Sequence, residues 1–149
     1  MSDIKASLMA DIKASMKSGD KPRLGVLRLI SSAVKQREVD ERVETDDNAM
    51  IQILDKMAKQ RRESIEQYEA AGRQDLADTE KSELQIIQGY LPAQLSGDEI
   101  ETLINDAITS SGATGIRDMG KVMGILKPQL QGRADMSAVS AQIKSKLNT

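Results

Sequence analysis

Apolar residues recur along this chain mainly at every third or fourth position. That spacing lines them up on one face of an α-helix turning about 100° per residue. Ile4, Leu8, Ile12 and Met16 form the stripe of a first helix, with Ser2 or Asp3 placed to cap it. Gly19-Asp20-Lys21-Pro22 ends that helix and starts the next, because Asp caps well and Pro is tolerated in a first turn. The second helix, 22–41, is apolar over a wide arc through Leu24, Val26, Leu27, Leu29, Ile30, Ala33 and Val34. Such breadth predicts a central helix, packed on more than one side. Thr45-Asp46-Asp47 signals a third start, its acids complementing the helix dipole. This helix, 47–71, turns Met50, Ile51, Leu54, Met57, Ala58, Ile65 and Tyr68 inward and stops at Gly72. A fourth, 74–90, carries Leu76, Leu84, Ile87 and Leu91.

The residue before a proline is driven out of the helical region, so Leu91-Pro92-Ala93-Gln94-Leu95 reads as a domain boundary. Ser96, followed three residues later by Glu99, is the signature of a capping box. The helix it opens, 97–111, has the cleanest stripe of all in Ile100, Leu103, Ile104, Ala107 and Ile108. Gly112 and Gly115 bracket a loop into a sixth helix carrying Ile116, Met119, Val122, Met123, Leu126 and Leu130. Pro128 removes one of its backbone bonds and predicts a kink near Gly124. Gly132 closes that helix, and Asp135 caps a last one bearing Met136, Val139, Ile143 and Leu147. The expected fold is all-α: an N-terminal four-helix domain at 1–91, then a small three-helix C-terminal domain at 92–149.

Composition narrows the chemistry. Among 149 residues there is no Cys and no His, which removes disulfides, zinc-thiolate sites, imidazole bases and every Ser-His or Cys-His nucleophile. No Asp/Glu cluster has ligand spacing, so neither a metal, a cofactor nor a catalytic residue is assigned. Aliphatic residues and Met build the core almost alone, since Phe and Trp are absent and Tyr68 and Tyr90 are the only aromatics. Met1 leads into a charged amphipathic helix, and no apolar run approaches the length of a membrane span. The expectation is a cytoplasmic protein without membrane contact.

A net charge of -2 excludes attachment to nucleic acid by bulk charge and leaves only a local patch. Two charge runs compete for that role and lose. Lys35 to Arg42 reads as a solvated face laced with ion pairs. Lys59, Arg61 and Arg62 are followed closely by Glu63, Glu66 and Glu69, which predicts pairing along their own helix. The sixth helix differs. Opposite its apolar stripe, Arg117, Gly120, Lys121, Gly124 and Lys127 fall within an arc of roughly 120°. Two glycines inside a helix cost about 1 kcal/mol each relative to alanine, so something should offset them. A bare backbone strip between cations lets a phosphate-bearing ligand approach closely; alternatively the glycines admit a neighbouring helix. From Ala113 onward Arg117, Lys121, Lys127, Arg133, Lys144 and Lys146 face only Asp118 and Asp135, a local excess of +4 (six minus two). With so few aromatic rings, a nucleic-acid partner would be gripped by backbone and shape rather than by stacked bases.

The segments RLGVLRLISSAVKQREVDER, KQRRESIEQYEAAGRQDLADTE, YLPAQLS and GIRDMGKVMGILKPQLQGRADMSAVSAQIKSKL resemble the YqeY-type proteins of the GatB/YqeY group. The resemblance runs the whole length. The last segment is similar to the C-terminal tail of the B subunit of the glutamine-dependent aminoacyl-tRNA amidotransferase. Gly120, Lys121, Val122, Met123 and Gly124, then Gly132, Arg133, Ala134 and Asp135, stand on the matching positions. In that enzyme the tail is a small helical domain that helps engage tRNA. The resemblance therefore implies an accessory protein binding tRNA or structured RNA through Arg117, Gly120, Lys121, Gly124, Lys127, Gly132 and Arg133. An aminoacyl-tRNA synthetase or an amidotransferase component would be the protein partner. The other class of reading is a helical protein-interaction adaptor. Carbon-nitrogen ligation with glutamine as amide donor is implied by the tail alone. The large catalytic domain of that enzyme is missing here, so the reaction is not expected of this chain by itself.

Overall fold

The computed structural model of the chain describes residues 2–148, and among them every regular element is helical. Seven α-helices follow in order: α1 (Asp3–Ser18), α2 (Lys21–Glu41), α3 (Asp47–Ala70), α4 (Gln74–Gln88), α5 (Gly97–Ser111), α6 (Met119–Leu130) and α7 (Met136–Leu147). A 3-10 turn at Ile116–Asp118 precedes α6. The chain separates into two compact units, Met1–Pro92 and Ala93–Thr149.

Local chemistry explains the ends. Ser2 caps α1 by accepting from the Lys5 N–H at 3.0 Å, and Gly19 leaves it in the left-handed region. Asp20 and Asp46 cap α2 and α3 through the N–H groups of Arg23 and Ala49. Ser96 and Glu99 form the expected reciprocal box at the start of α5.

In the first unit Leu27, Ile30, Met50, Leu54 and Ile87 are fully buried, with Leu8 beneath them. Helix α2 touches α1, α3 and α4, as its wide apolar arc requires. Ile53 joins this core as well. The charge runs are partly structural. Arg37 pairs with Glu41 at 3.1 Å along α2, yet Arg61 turns away from its own helix to Glu83 (3.0 Å) and Glu80 (3.6 Å) of α4. The expected pairing of Arg61 along α3 is thus corrected: α4 packs close enough to offer two carboxylates. Burial, followed by the nearby Glu83 charge, pushes the Glu80 carboxyl up despite Arg61.

Two carboxylates lock the entry to α1. Asp47 accepts from the Ser2 hydroxyl and from the Ile4 N–H at 3.1 Å. Glu38 accepts from Lys5 Nζ at 2.7 Å and from the Thr45 N–H at 2.9 Å. The Ser2 hydroxyl first, and then the Ile4 amide, hold Asp47 below its ordinary 3.8; Lys5 first, and then the Thr45 amide, hold Glu38 below 4.5. A carboxyl that is more acidic folded than unfolded stabilises the fold above its unfolded pKa, and that contribution disappears as pH falls through the lowered value. The Glu38→Gln/Asp47→Asn variant should therefore have a lower urea midpoint than the parent at neutral pH. The gap should close once pH falls below the carboxylate range. A gap that persists in acid would show these charges to be irrelevant.

In the second unit Ile104, Val122, Leu126, Leu130 and Ile143 are fully buried, and α6 lies between α5 and α7. Lys146 of α7 reaches Glu101 of α5 at 3.4 Å.

Candidate nucleic-acid interface

Helix α6 buries Val122, Leu126 and Leu130 and leaves Gly120, Lys121, Gly124, Lys127 and Pro128 exposed. At about 100° per residue those five occupy an arc of about 120° on the side away from the core. No acidic residue lies on that arc. A Cβ built on Gly120 or on Gly124 would meet nothing within 4 Å. Within the second unit, therefore, neither α5 nor α7 fills the space over these glycines. The helix continues through Pro128 to Leu130, and because Pro has no N–H the Gly124 carbonyl lacks its usual helical donor. The strip thus offers a bare backbone acceptor between two lysines.

Arg117 does not share the helical register of this strip. Gly115 is extended, the Asp118 N–H donates to the Gly115 carbonyl at 2.9 Å, and residues 116–118 wind as a 3-10 turn. Asp118 in turn accepts from the Thr114 N–H at 3.0 Å and stands 3.7 Å from Lys121 Nζ. The Thr114 amide first, with Lys121 contributing, keeps the Asp118 carboxyl below the ordinary carboxylate range. Lys121 thus carries a nearby countercharge, although its side chain is 70% exposed. Arg117 and Lys127 are exposed and form no ion pair among the described residues.

Gly132 and Arg133 have different work. Gly132 is buried with φ +76°, and its carbonyl accepts from Gln94 Nε2 at 2.7 Å. Arg133 is half-buried, its Nε donating to the Ala93 carbonyl at 3.1 Å while its own carbonyl accepts from the Leu95 N–H at 2.9 Å. The turn after α6 thereby ties residues 93–95 to the second unit. Of the expected grouping of seven, Gly132 and Arg133 therefore stand apart from the α6 strip: the glycine is buried, and one N–H of the Arg133 guanidinium is held by the Ala93 carbonyl. Sequence reasoning missed this strap because its partners lie about forty positions apart, beyond any helical period. Lys144 is exposed on the last turn of α7, whereas Lys146 is drawn to Glu101.

Elsewhere the chemistry is structural. The Tyr90 hydroxyl donates to Asp11, with Arg23 at 3.8 Å from the same oxygen. Burial first, then Asp11, pushes the Tyr90 phenol well above its ordinary range. Among the described residues no group of Asp and Glu is arranged to hold a metal ion, and no helix is long and apolar enough to cross a membrane.

Comparison with known proteins extends this picture. The chain is 33% identical to "Altered inheritance of mitochondria protein 41, mitochondrial" of Pyrenophora tritici-repentis, over 92% of this chain and 77% of that protein. It is 30% identical to the protein of the same name in Lachancea thermotolerans, over 99% of this chain and 82% of the relative. These names correct the expectation of a cytoplasmic protein: they point to mitochondria instead. The physical reason is that the apolar pattern bears on membrane crossing and carries no information about compartment. The family model described as "Yqey-like protein" matches residues 5–147, and the chain belongs to that family.

Proposed function

We propose that this chain is a non-catalytic accessory protein that binds tRNA or a related structured RNA along the exposed strip of α6. The observation that carries the reading is the open space over Gly120 and Gly124, flanked by the exposed Lys121 and Lys127. Helical glycine is costly, and no packing against described residues offsets it here. Lys127, Lys121 and Arg117 would contact phosphates, while the two glycines permit close backbone approach. No bond-making step is assigned to a chain that holds neither Cys nor His. With three phosphate contacts and a net charge of -2, binding is weak and salt-sensitive, and a synthetase or amidotransferase component would strengthen it.

The test is titration of labelled mitochondrial tRNA with the intact protein at two salt concentrations. Three neutralised phosphates give a slope of about -2 to -3 in log K against log salt, or roughly twenty- to fortyfold weakening for a fourfold rise in salt. The Arg117→Glu/Lys121→Glu/Lys127→Glu variant should remain helical and lose this binding. Arg133 is left intact because it holds Ala93. Absence of binding at low salt, or equal binding by the variant, would sink the proposal.

A further inference from the structure

In the first unit a second surface stands apart from this reading. Helices α1 and α2 form a hairpin through Gly19 and Asp20, and a groove of about 560 Å³ runs along one side of it. Its floor is apolar: Leu8 and Ile12 of α1, Val34 of α2, and two methionines. Those methionines, Met9 and Met16, are one heptad apart and remain 55% and 51% exposed. Large flexible apolar side chains left in water at such spacing are the usual floor of a helix-binding groove. Val39, Val43 and Leu29 are also exposed but do not line it.

Apart from one ion pair, the charges on the rim are positive. Lys5 and Glu38 close one end as a neutral pair, 2.7 Å apart. Lys13 on α1 and Arg28 and Lys35 on α2 are exposed and have no carboxylate partner among the described residues. The Arg28 guanidinium lies 3.8 Å from Met16 Sδ and borders the groove near the hairpin turn. Both banks are therefore cationic around a methionine-lined floor. From Lys5 to Met16 the α1 bank rises about 16 Å, the length of three helical turns.

We infer that this groove docks an acidic amphipathic helix of a partner protein, of about three turns. The helix lays apolar residues at i, i+3, i+4 and i+7 on Met9, Ile12 and Met16. Its flanking carboxylates face Lys13 on one side and Arg28 and Lys35 on the other. Methionine side chains adjust to different apolar anchors, so the charge pattern sets the orientation and the choice of partner.

The probe is a synthetic peptide of about fourteen residues with Leu at those positions and Glu on both flanks, compared with its Lys-flanked counterpart. The intact protein should bind the Glu peptide at least tenfold more tightly than the Lys peptide. Lys13→Glu/Arg28→Glu/Lys35→Glu, with its helical circular dichroism and cooperative melting retained, should invert that preference. Met16→Glu should abolish binding of the Glu peptide. Equal binding of the two peptides, or an unchanged preference in the reversed variant, overturns the proposal. So does tighter association with vesicles of anionic lipid, or self-association that occludes the groove in sedimentation.

Discussion

Replacing Leu126 with alanine should unfold the second unit and leave the first one folded. Leu126 is fully buried at the middle of α6, between α5 and α7. Truncating a buried leucine costs about 3–5 kcal/mol, from lost transfer energy and the cavity left behind. A unit spanning only residues 93–149 has about that much net stability to lose. Amide hydrogen exchange at neutral pH is the direct measurement. Protection should vanish across α5, α6 and α7 and persist in α1 to α4. A variant that keeps protection in α5 and α7 would show that this core tolerates the cavity. Loss of protection throughout the chain would show that the two units fold as one.

Two glycines of the tail should respond in opposite directions to the same substitution. Gly132 has φ +76° and is buried, and a side chain in the left-handed region costs about 1–2 kcal/mol. Gly132→Ala should lower the urea midpoint of the second unit accordingly and loosen residues 93–95, whose Gln94 it holds. Gly124 is helical, exposed and open above its backbone. There alanine should add up to about 1 kcal/mol of helix propensity. Under the RNA proposal the same Gly124→Ala protein, though more stable, should bind tRNA less well. Destabilisation by Gly124→Ala would mean that the glycine has a folding role that its open surroundings do not reveal.

Comparison of particular residues shows where local pattern suffices. The ends of α1, α2, α3 and α5 were legible because caps act within three or four residues: Ser2, Asp20, Asp46 and Ser96 each bond a backbone amide of the turn they open. The stripes of α5 and α7 were legible for the same reason, each being a single face on a single core. What stayed hidden depends on distant partners. Nothing near Asp47 in sequence announces that it holds Ser2 and Ile4, and nothing near Arg61 announces Glu83. Helical period places Arg117 on the α6 face, whereas the contacts of Thr114 and Gly115 with Asp118 wind its segment more tightly. In sequence, Gly132 and Arg133 look the same whether they face a ligand or brace the chain, and only the contact of Arg133 with Ala93 distinguishes the two.

The placement of Tyr68 and Tyr90 has a practical consequence. Both lie before the division at Pro92, and the chain contains neither Phe nor Trp. All ultraviolet absorbance above the peptide band, and all intrinsic fluorescence, therefore originates in the first unit. The second unit is optically silent in that range. A melting curve followed by tyrosine emission would report α1 to α4 alone and pass over the collapse of the tail. An RNA ligand carrying a dye that emits in the visible range, by contrast, could be followed at the tail, because tyrosine does not emit at those wavelengths.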